Sequence, residues 1–404
     1  MPTEHLSYRA VLHTRHVARS FLPSVIGRLS LATSGLALVF LLERSTGSFA
    51  VAGVVIATLG IANVVATPWR ARLIDRRGQT VVLTALSLTY AASLVALGLN
   101  AHAELPVLLC LGAVAGASSP PFATSMRVLW SMALPPGGLR TRALSLDAVA
   151  GEVTYAVGPL LTAFLAAAVD PFASLLLSVG CVAVGAALFV TSPLSREQRG
   201  SHGADQAEAP GRSPLRTRGF LPVVLAMVAP GIVLGAVDIA APAVAAEQSS
   251  ALLSGVLLAL FAGASAIGGL LYGSMQLRSL LERQLLVLTP VLLLVMAATG
   301  LVGGTVVALI GFVLSGLFLA PALIAGYLAA NARADASVRT EANGWMDTAV
   351  QFGAALGAAV FGAFTDVAEP GQALAMSAVV PGVIIAICAP FLLRSRRSEL
   401  PEQA

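Results

Sequence analysis

Residues 304–328 read GTVVALIGFVLSGLFLAPALIAGYL and contain no acidic or basic side chain. A helix rises 1.5 Å per residue, so about 20 apolar residues cross the ~30 Å hydrocarbon core of a bilayer. The stretch is continuously apolar, whereas the strands of a membrane β-barrel alternate in polarity. It therefore predicts a membrane-spanning α-helix.

Eleven further stretches pass the same test. The twelve predicted spans are 20–42, 49–68, 80–99, 105–127, 143–168, 171–193, 220–242, 251–272, 284–302, 304–328, 341–365 and 371–393. The chain is 57% hydrophobic and 11% charged, with a mean hydropathy of +0.86. Lipid solvates such a surface, whereas a soluble protein needs more charge. We predict an all-α membrane protein.

The charged residues exclude several functions. All 24 basic residues are arginine, and the chain contains no lysine. It therefore cannot contain a Walker A motif for ATP hydrolysis or form a lysine Schiff base. The arginines lie in short loops, which argues against nucleic-acid binding. Three cysteines in apolar segments and histidines confined to tails and loops match no metal motif. We expect no cofactor, no metal and no catalytic residue.

Arginine also predicts orientation, because basic residues concentrate in cytoplasmic loops. With the N-terminus inside, 22 of the 24 arginines are cytoplasmic; Arg44 is external and Arg28 lies within a span. The first apolar segment is too long for a signal peptide, so we expect it to be retained. We therefore expect a multi-pass protein of the cytoplasmic membrane, with both termini in the cytoplasm.

The polar stretch 194–219 predicts a flexible cytoplasmic linker between six-helix halves at 1–193 and 220–404. The two halves match weakly at an offset of 199 residues. At that offset Phe21-Leu22-Pro23 overlays Phe220-Leu221-Pro222, and further matches include Arg140-Thr141 on Arg339-Thr340, Gly158 on Gly357 and Pro171 on Pro370. A parallel repeat is typical of transporters whose halves rock about a central site.

The loop after span 2, Ala71–Gln79, reads ARLIDRRGQ. It resembles the loop motif G-x-L-x-D-R-x-G-R of the major facilitator superfamily of transporters. Asp75, Arg76 and Gly78 match, whereas the first glycine and the last basic residue of the motif are missing. The resemblance implies that family's fold of two pseudo-symmetric six-helix bundles. It also implies that Asp75 accepts hydrogen bonds from the start of span 11, near 339–343, as a cytoplasmic latch; the alternative is a simple positive-inside anchor.

In span 5, Gly158-Pro159 is similar to the G-P element of drug and metabolite antiporters in that superfamily. Thr162 and Ala163 depart from the fuller pattern, and an ordinary proline bend is the alternative. Span 4 also lacks the central basic residue that is typical of exporters in the family.

Ionisable residues inside a span should face the bundle interior or water. Those residues are Arg28, Asp147, Glu152, Asp238 and Asp347. Asp147 and Asp347 are near helix ends and suit caps, and Asp238 is near the outer end of span 7. Arg28 and Glu152 lie at equal depth and could pair, with Tyr155 on the same face as Glu152. We take Glu152, Arg28 and Asp238 as candidates for proton coupling.

Polar residues within the spans are candidates for a substrate cavity, although each could instead join two helices by a hydrogen bond. They are Asn63, Tyr155, Tyr327, Asn343, Trp345 and Gln351. Few charges face the predicted cavity, which favours a small amphipathic or apolar substrate.

The function that these residues predict first is proton-coupled efflux of such a compound, by a protein that acts as a monomer in the bilayer. The alternative is uptake of a nutrient or metabolite by symport or facilitated diffusion. A membrane enzyme is disfavoured, since no H-E-x-x-H motif occurs and Asp147 and Glu152 point ~140° apart on their helix. The small extramembrane segments disfavour a receptor.

The orientation can be tested by labelling single cysteines in a background that lacks Cys110, Cys181 and Cys388. We expect Ser213→Cys, in the linker, to react with an impermeant maleimide only in inverted vesicles. Ser45→Cys, beside Arg44, should react in intact cells. The reverse pattern would overturn both the orientation and the span count.

Overall fold

The computed structural model describes residues 8–134, 138–198, 214–217, 219–274, 280–334 and 339–394. These residues form α-helices and one 3-10 turn, Pro214–Arg216, and contain no strand. The helices are α1 (Tyr8–His13), α2 (Val17–Thr46), α3 (Phe49–Arg77), α4 (Gln79–Leu99), α5 (Leu105–Ser118), α6 (Phe122–Ala133), α7 (Gly138–Ala168), α8 (Pro171–Val190), α9 (Pro193–Glu197), α10 (Phe220–Glu247), α11 (Ala251–Ser274), α12 (Leu281–Val302), α13 (Thr305–Arg333), α14 (Arg339–Thr365), α15 (Pro370–Ser377) and α16 (Val379–Arg394).

Twelve segments of the described chain are long and apolar enough to cross a membrane, which confirms the predicted all-α fold. In chain order, spans 1 to 12 are α2, α3, α4, α5 with α6, α7, α8, α10, α11, α12, α13, α14 and α15 with α16. We call spans 1–6 the first half and spans 7–12 the second half. Most of the predicted linker, residues 199–213 and 218, lies outside the described residues.

Two spans are interrupted where the sequence predicted continuous helices. Span 4 breaks at Ser119-Pro120-Pro121, between α5 and α6, and span 12 breaks at Ala378. Proline has no N–H and cannot donate to the carbonyl four residues earlier. Pro120 and Pro121 therefore end α5, and Pro381 leaves the carbonyl of Ser377 without a helical donor.

Glycines bring helices into close contact at equivalent places in the two halves. A Cβ atom at these glycines would crowd or overlap the neighbouring helix. Three glycine contacts of the first half have equivalents about 200 residues later in the second half. The contact of Gly98 with Phe172 is equivalent to that of Gly300 with Gly371. In the same way, Gly116–Leu59 is equivalent to Gly316–Phe261, and Gly158–Ala32 is equivalent to Gly357–Ile232. The weak sequence repeat thus corresponds to a repeat of helix packing. In the first half, span 3 packs on span 6, span 2 on span 4, and span 1 on span 5, and the equivalent spans of the second half pack in the same way.

The two halves pack most closely toward one end of the molecule. Gly53 of span 2 lies against Ala358 of span 11, and Gly255 of span 8 lies against Ala163 of span 5. The turns after spans 1 and 5 are at this end, where Arg44 and Asp170 form an exposed ion pair at 2.6 Å. Toward the opposite ends of spans 5 and 11, a Cβ at Gly151 or Gly344 would meet nothing within 4 Å. We call the contacts of Gly53 with Ala358 and of Gly255 with Ala163 the glycine seam.

The packing repeat predicts equal sensitivity at equivalent glycines. Gly116→Val and Gly316→Val should each lower the thermal unfolding midpoint in detergent, because overpacking costs about 1–3 kcal/mol. Gly263→Val is the matched control, since its Cβ would meet nothing within 4 Å. A control variant as unstable as the other two would contradict this account of the packing.

Candidate functional site

A central cavity of about 480 Å³ lies between the two halves. Spans 1, 2 and 5 line it from the first half, and spans 7, 8, 10 and 11 line it from the second half. Its wall is mainly aliphatic, with Leu36, Val39, Leu258 and Leu319 among the lining residues. Tyr155, Asp238, Ser265 and Gln351 are the polar exceptions among the described side chains. A wall of this composition fits a small, largely apolar molecule that carries few polar groups.

Asp238 is the charged side chain that lines this cavity within the described part of the chain. It is exposed, although both of its neighbours in span 7, Val237 and Ile239, are buried. Its carboxylate makes no hydrogen bond or ion pair with any described residue. The carboxylate is thus open to the cavity rather than compensated by protein.

Prolines are placed in the same way relative to two of the polar cavity residues. Pro159 is four residues after Tyr155, and Pro242 is four residues after Asp238. Because proline has no N–H, the carbonyls of Tyr155 and Asp238 lack their helical donors. Irregular backbone hydrogen bonding inside a membrane is tolerated where the helix lines a cavity. The proline four residues after Asp238 is visible in the sequence. It could have predicted that Asp238 lines the cavity rather than lying at the outer end of span 7.

Arg28, in contrast, is buried within the first half. Its Nη2 donates a 2.6 Å hydrogen bond to Oδ1 of Asp147, and both side chains are largely inaccessible. The other carboxylate oxygen of Asp147 is 3.6 Å from Nε of Arg127. The sequence suggested Glu152 as the partner of Arg28 and a helix-end cap for Asp147. The described partner is Asp147, and the side chain of Glu152 lies outside the described part of the chain.

The structure separates the six cavity candidates. Tyr155 and Gln351 line the central cavity, and Asn63 lines a second cavity within the first half. The other three lie away from both cavities. Tyr327 donates a hydrogen bond to Asp347, Asn343 accepts one from Asn331, and Trp345 packs against a buried cluster of the second half.

The Tyr327–Asp347 contact is the counterpart, 200 residues on, of the Arg127–Asp147 contact. Each joins the fourth and fifth span of its half. Sequence reasoning missed this equivalence, because the paired residue types differ between the halves.

The loop motif forms the turn between spans 2 and 3. Gly78 has a φ of 85°, a conformation that residues with a Cβ rarely adopt, and its N–H donates to the carbonyl of Ile74 at 2.8 Å. Arg76 is exposed. The side chains of Asp75 and of residues 339–341 lie outside the described part of the chain, so the predicted latch stays a prediction.

The G-P element brings span 5 onto span 1. A Cβ at Gly158 would lie 2.8 Å from Cβ of Ala32, so glycine sets the distance between these helices. The hydroxyl of Thr162 donates to the carbonyl of Thr33 at 3.3 Å and to that of Gly158 at 3.0 Å. Thr162, which departs from the glycine of the family pattern, therefore joins the same two helices.

The family model of the Major Facilitator Superfamily matches residues 21–312. The chain belongs to this superfamily of membrane transporters and is not an enzyme. Among curated proteins, the sequence has no significant match.

Solved transporters share the fold. The nucleoside transporter NupG is similar with a TM-score of 0.72 and 12% identity, covering 93% of this chain and 99% of NupG. A bacterial homologue of the human lysosomal transporter Spinster, inward-facing and unoccupied, is similar with a TM-score of 0.72 and 14% identity, covering 95% of this chain and 98% of the homologue. The peptide transporter POT, in complex with sulfate, is similar with a TM-score of 0.71 and 12% identity, covering 95% of this chain and 96% of POT. At these identities the likeness concerns the fold alone.

The buried ion pair predicts a large effect of one substitution. Arg28→Gln should lower the thermal unfolding midpoint strongly, because removing one partner of a buried pair costs about 3–5 kcal/mol. Arg44→Gln removes the exposed pair with Asp170 and should cost less than about 1 kcal/mol. The double variant Arg28→Met with Asp147→Leu should recover part of the loss. Recovery in Arg28→Gln with Glu152→Gln instead would show that Glu152 is the partner.

Proposed function

We propose that this superfamily member exports a small amphipathic or largely apolar compound across the cytoplasmic membrane, in exchange for protons and by alternating access. The observation that carries the proposal is the carboxylate of Asp238, which has no described partner, in a mainly apolar cavity between the halves. Few polar partners are available for a highly polar substrate. A neutral or monocationic compound fits such a wall and such a charge better than an anion does.

The same carboxylate provides a reason for exchange. In the ionised state Asp238 attracts a cation or a hydrogen-bond donor on the substrate, and in the protonated state it does not. A proton and the substrate therefore compete for one group. Binding of one favours release of the other, which is what antiport requires, provided that the two occupied states prefer opposite openings.

Alternating access also fits the packing. The bundles at 1–193 and 220–404, joined by the linker 194–219, would rock about the central cavity. The glycine seam closes one end by contacts such as Gly53 on Ala358, made without interlocking side chains. Small residues allow helices to separate and repack at little cost. The Arg28–Asp147 pair lies entirely within the first half and does not have to break in this motion.

The proposal can be tested in inverted vesicles, with ethidium as a monocationic amphipathic probe. An acidic interior should drive accumulation by the wild type. Asp238→Asn should reduce this driven accumulation at least about tenfold, while exchange of probe down its own gradient continues, because the substitution removes a titrating group and keeps the shape of the side chain.

Asp366→Asn is the matched control, since Asp366 is an exposed acid of the second half outside the cavity. It should transport like the wild type. Glu152→Gln tests the other candidate acid in the same assay. Full pH-driven accumulation by Asp238→Asn, with loss in Glu152→Gln, would transfer the coupling role to Glu152. Accumulation independent of the pH gradient in the wild type would remove proton coupling altogether.

A further inference from the structure

A second cavity, of about 260 Å³, lies within the first half. Spans 1, 2 and 4 and the start of span 3 line it, and Leu31 separates it from the central cavity. It is beside the break in span 4 and the turn at Gly78, at the end of the molecule opposite the glycine seam. We call it the Arg70 cavity, after the one charged side chain that lines it within the described residues.

Arg70 is almost completely buried and forms no ion pair with any residue whose side chain the structure describes. Its Nη1 donates to the carbonyls of Gly116 and Ser119, at the end of α5. Its Nη2 donates to the carbonyl and side-chain oxygens of Asn63, at 2.9 and 2.6 Å, and to Oγ1 of Thr67 at 2.7 Å. The guanidinium thus holds span 2 to the break in span 4. All of these acceptors are neutral, so no described residue neutralises the positive charge.

Unpartnered polar atoms concentrate around the same cavity. Gln79 is fully buried, yet neither its amide nitrogen nor its amide oxygen has a hydrogen-bond partner. The hydroxyl of Ser125, Nε of Arg70 and Oε1 of Gln198 are also buried without a partner. These residues all line the Arg70 cavity. Buried polar groups without partners are rare, and several around one space indicate a site for a polar occupant.

The chemistry of the lining defines that occupant. Nε of Arg70, the amide nitrogen of Gln79 and the hydroxyl of Ser125 are donors, and Arg70 carries a net positive charge. The break in span 4 adds the start of α6. The N–H groups of Phe122 and Ser125 donate to the carbonyls of Pro120 and Pro121, whereas those of Ala123 and Thr124 have no helical acceptor, and a helix start favours negative charge. The amide oxygens of Gln79 and Gln198 can accept from a hydroxyl on the occupant.

From these groups we infer that the Arg70 cavity binds an oxyanion with an attached hydroxyl, of the hydrogen-phosphate or glycerophosphate kind. The site is separate from the transport cavity and does not depend on what that cavity carries. Free phosphate and the headgroup of an anionic phospholipid offer the same chemistry. Bound there, the anion neutralises Arg70 and joins spans 2, 3 and 4 at the break. The side chain of Asp75, the nearest acid along the chain, lies outside the described part.

The test uses the full-length protein, purified in a neutral maltoside detergent and freed of lipid. Its thermal unfolding midpoint is measured against inorganic phosphate at constant ionic strength, with chloride as comparator. A parallel titration uses phosphatidylglycerol, with phosphatidylcholine as comparator. A ligand that binds only the folded protein raises the midpoint once its concentration exceeds its dissociation constant, and the rise continues with the logarithm of that concentration. We expect phosphate or phosphatidylglycerol to raise it beyond its comparator.

Gln79→Leu removes both unpartnered atoms and leaves the contacts of Arg70 intact. It should raise the dissociation constant obtained from the shift of the midpoint about tenfold, because a hydrogen bond to a charged group is lost. Ser125→Ala serves the same purpose if Gln79→Leu does not fold. Ser87→Ala is the matched control: Ser87 is another buried serine with an unpartnered hydroxyl, in span 3, but it does not line this cavity. It should respond like the wild type.

A response to phosphate identifies a free anion, and a response to phosphatidylglycerol alone identifies a lipid headgroup. No response of the wild type beyond the comparators would overturn the inference and leave water or the Asp75 carboxylate as the occupant. A response of equal size in Gln79→Leu, Ser125→Ala and the wild type would overturn it too. Neither result bears on transport of ethidium, so this inference and the proposed function fail separately.

Discussion

Inside a bilayer, every polar group of a span has to find its partner within the protein or face water that the protein admits. The buried arginines of the spans meet this requirement by pairing with acids or neutral oxygens. Arg28 pairs with Asp147, Arg333 pairs with Glu282, and Arg70 is surrounded by five neutral oxygen acceptors. Each arrangement fixes one helix against another. Asp238 has no such partner among the described residues, and the cavity that it lines between the halves makes its charge tolerable.

Small residues provide the second condition, because helices in lipid associate mainly by close packing. Glycines allow backbone contact at Gly116 and Gly316 within the halves and at Gly53 between them. The contacts within the halves recur about 200 residues apart and are reinforced by polar bonds such as that of Thr162 to Thr33. Among the described residues, the close glycine contacts between the halves, such as Gly53 on Ala358 and Gly255 on Ala163, lie toward one end. That difference agrees with the proposed rocking of one half against the other.

The sequence predicted the twelve spans and the family, because hydropathy and one loop motif report directly on the bilayer and on a turn that needs Gly78. It did not predict the partner of Arg28. Depth along a helix can be counted from the sequence, but the direction in which a side chain points depends on how helices rotate against each other. Arg28 and Glu152 have equal depth, whereas Asp147 has the matching direction. Likewise Tyr327 and Asn343 were polar enough for a cavity and serve instead as contacts between helices. The two prolines of span 4 could have predicted its break, which in turn creates the Arg70 cavity.

We propose that protonation of the cavity acid Asp238 decides which end of the molecule is open. Double electron–electron resonance tests it most directly, with spin labels at Val149 in span 5 and Thr348 in span 11, both exposed and away from the glycine seam. Cysteines 110, 181 and 388 would first be replaced. We expect two distance populations whose ratio changes with pH in the labelled wild type and becomes independent of pH when Asp238 is replaced by asparagine. A single population at every pH, or a pH-dependent ratio that survives this replacement, would contradict it.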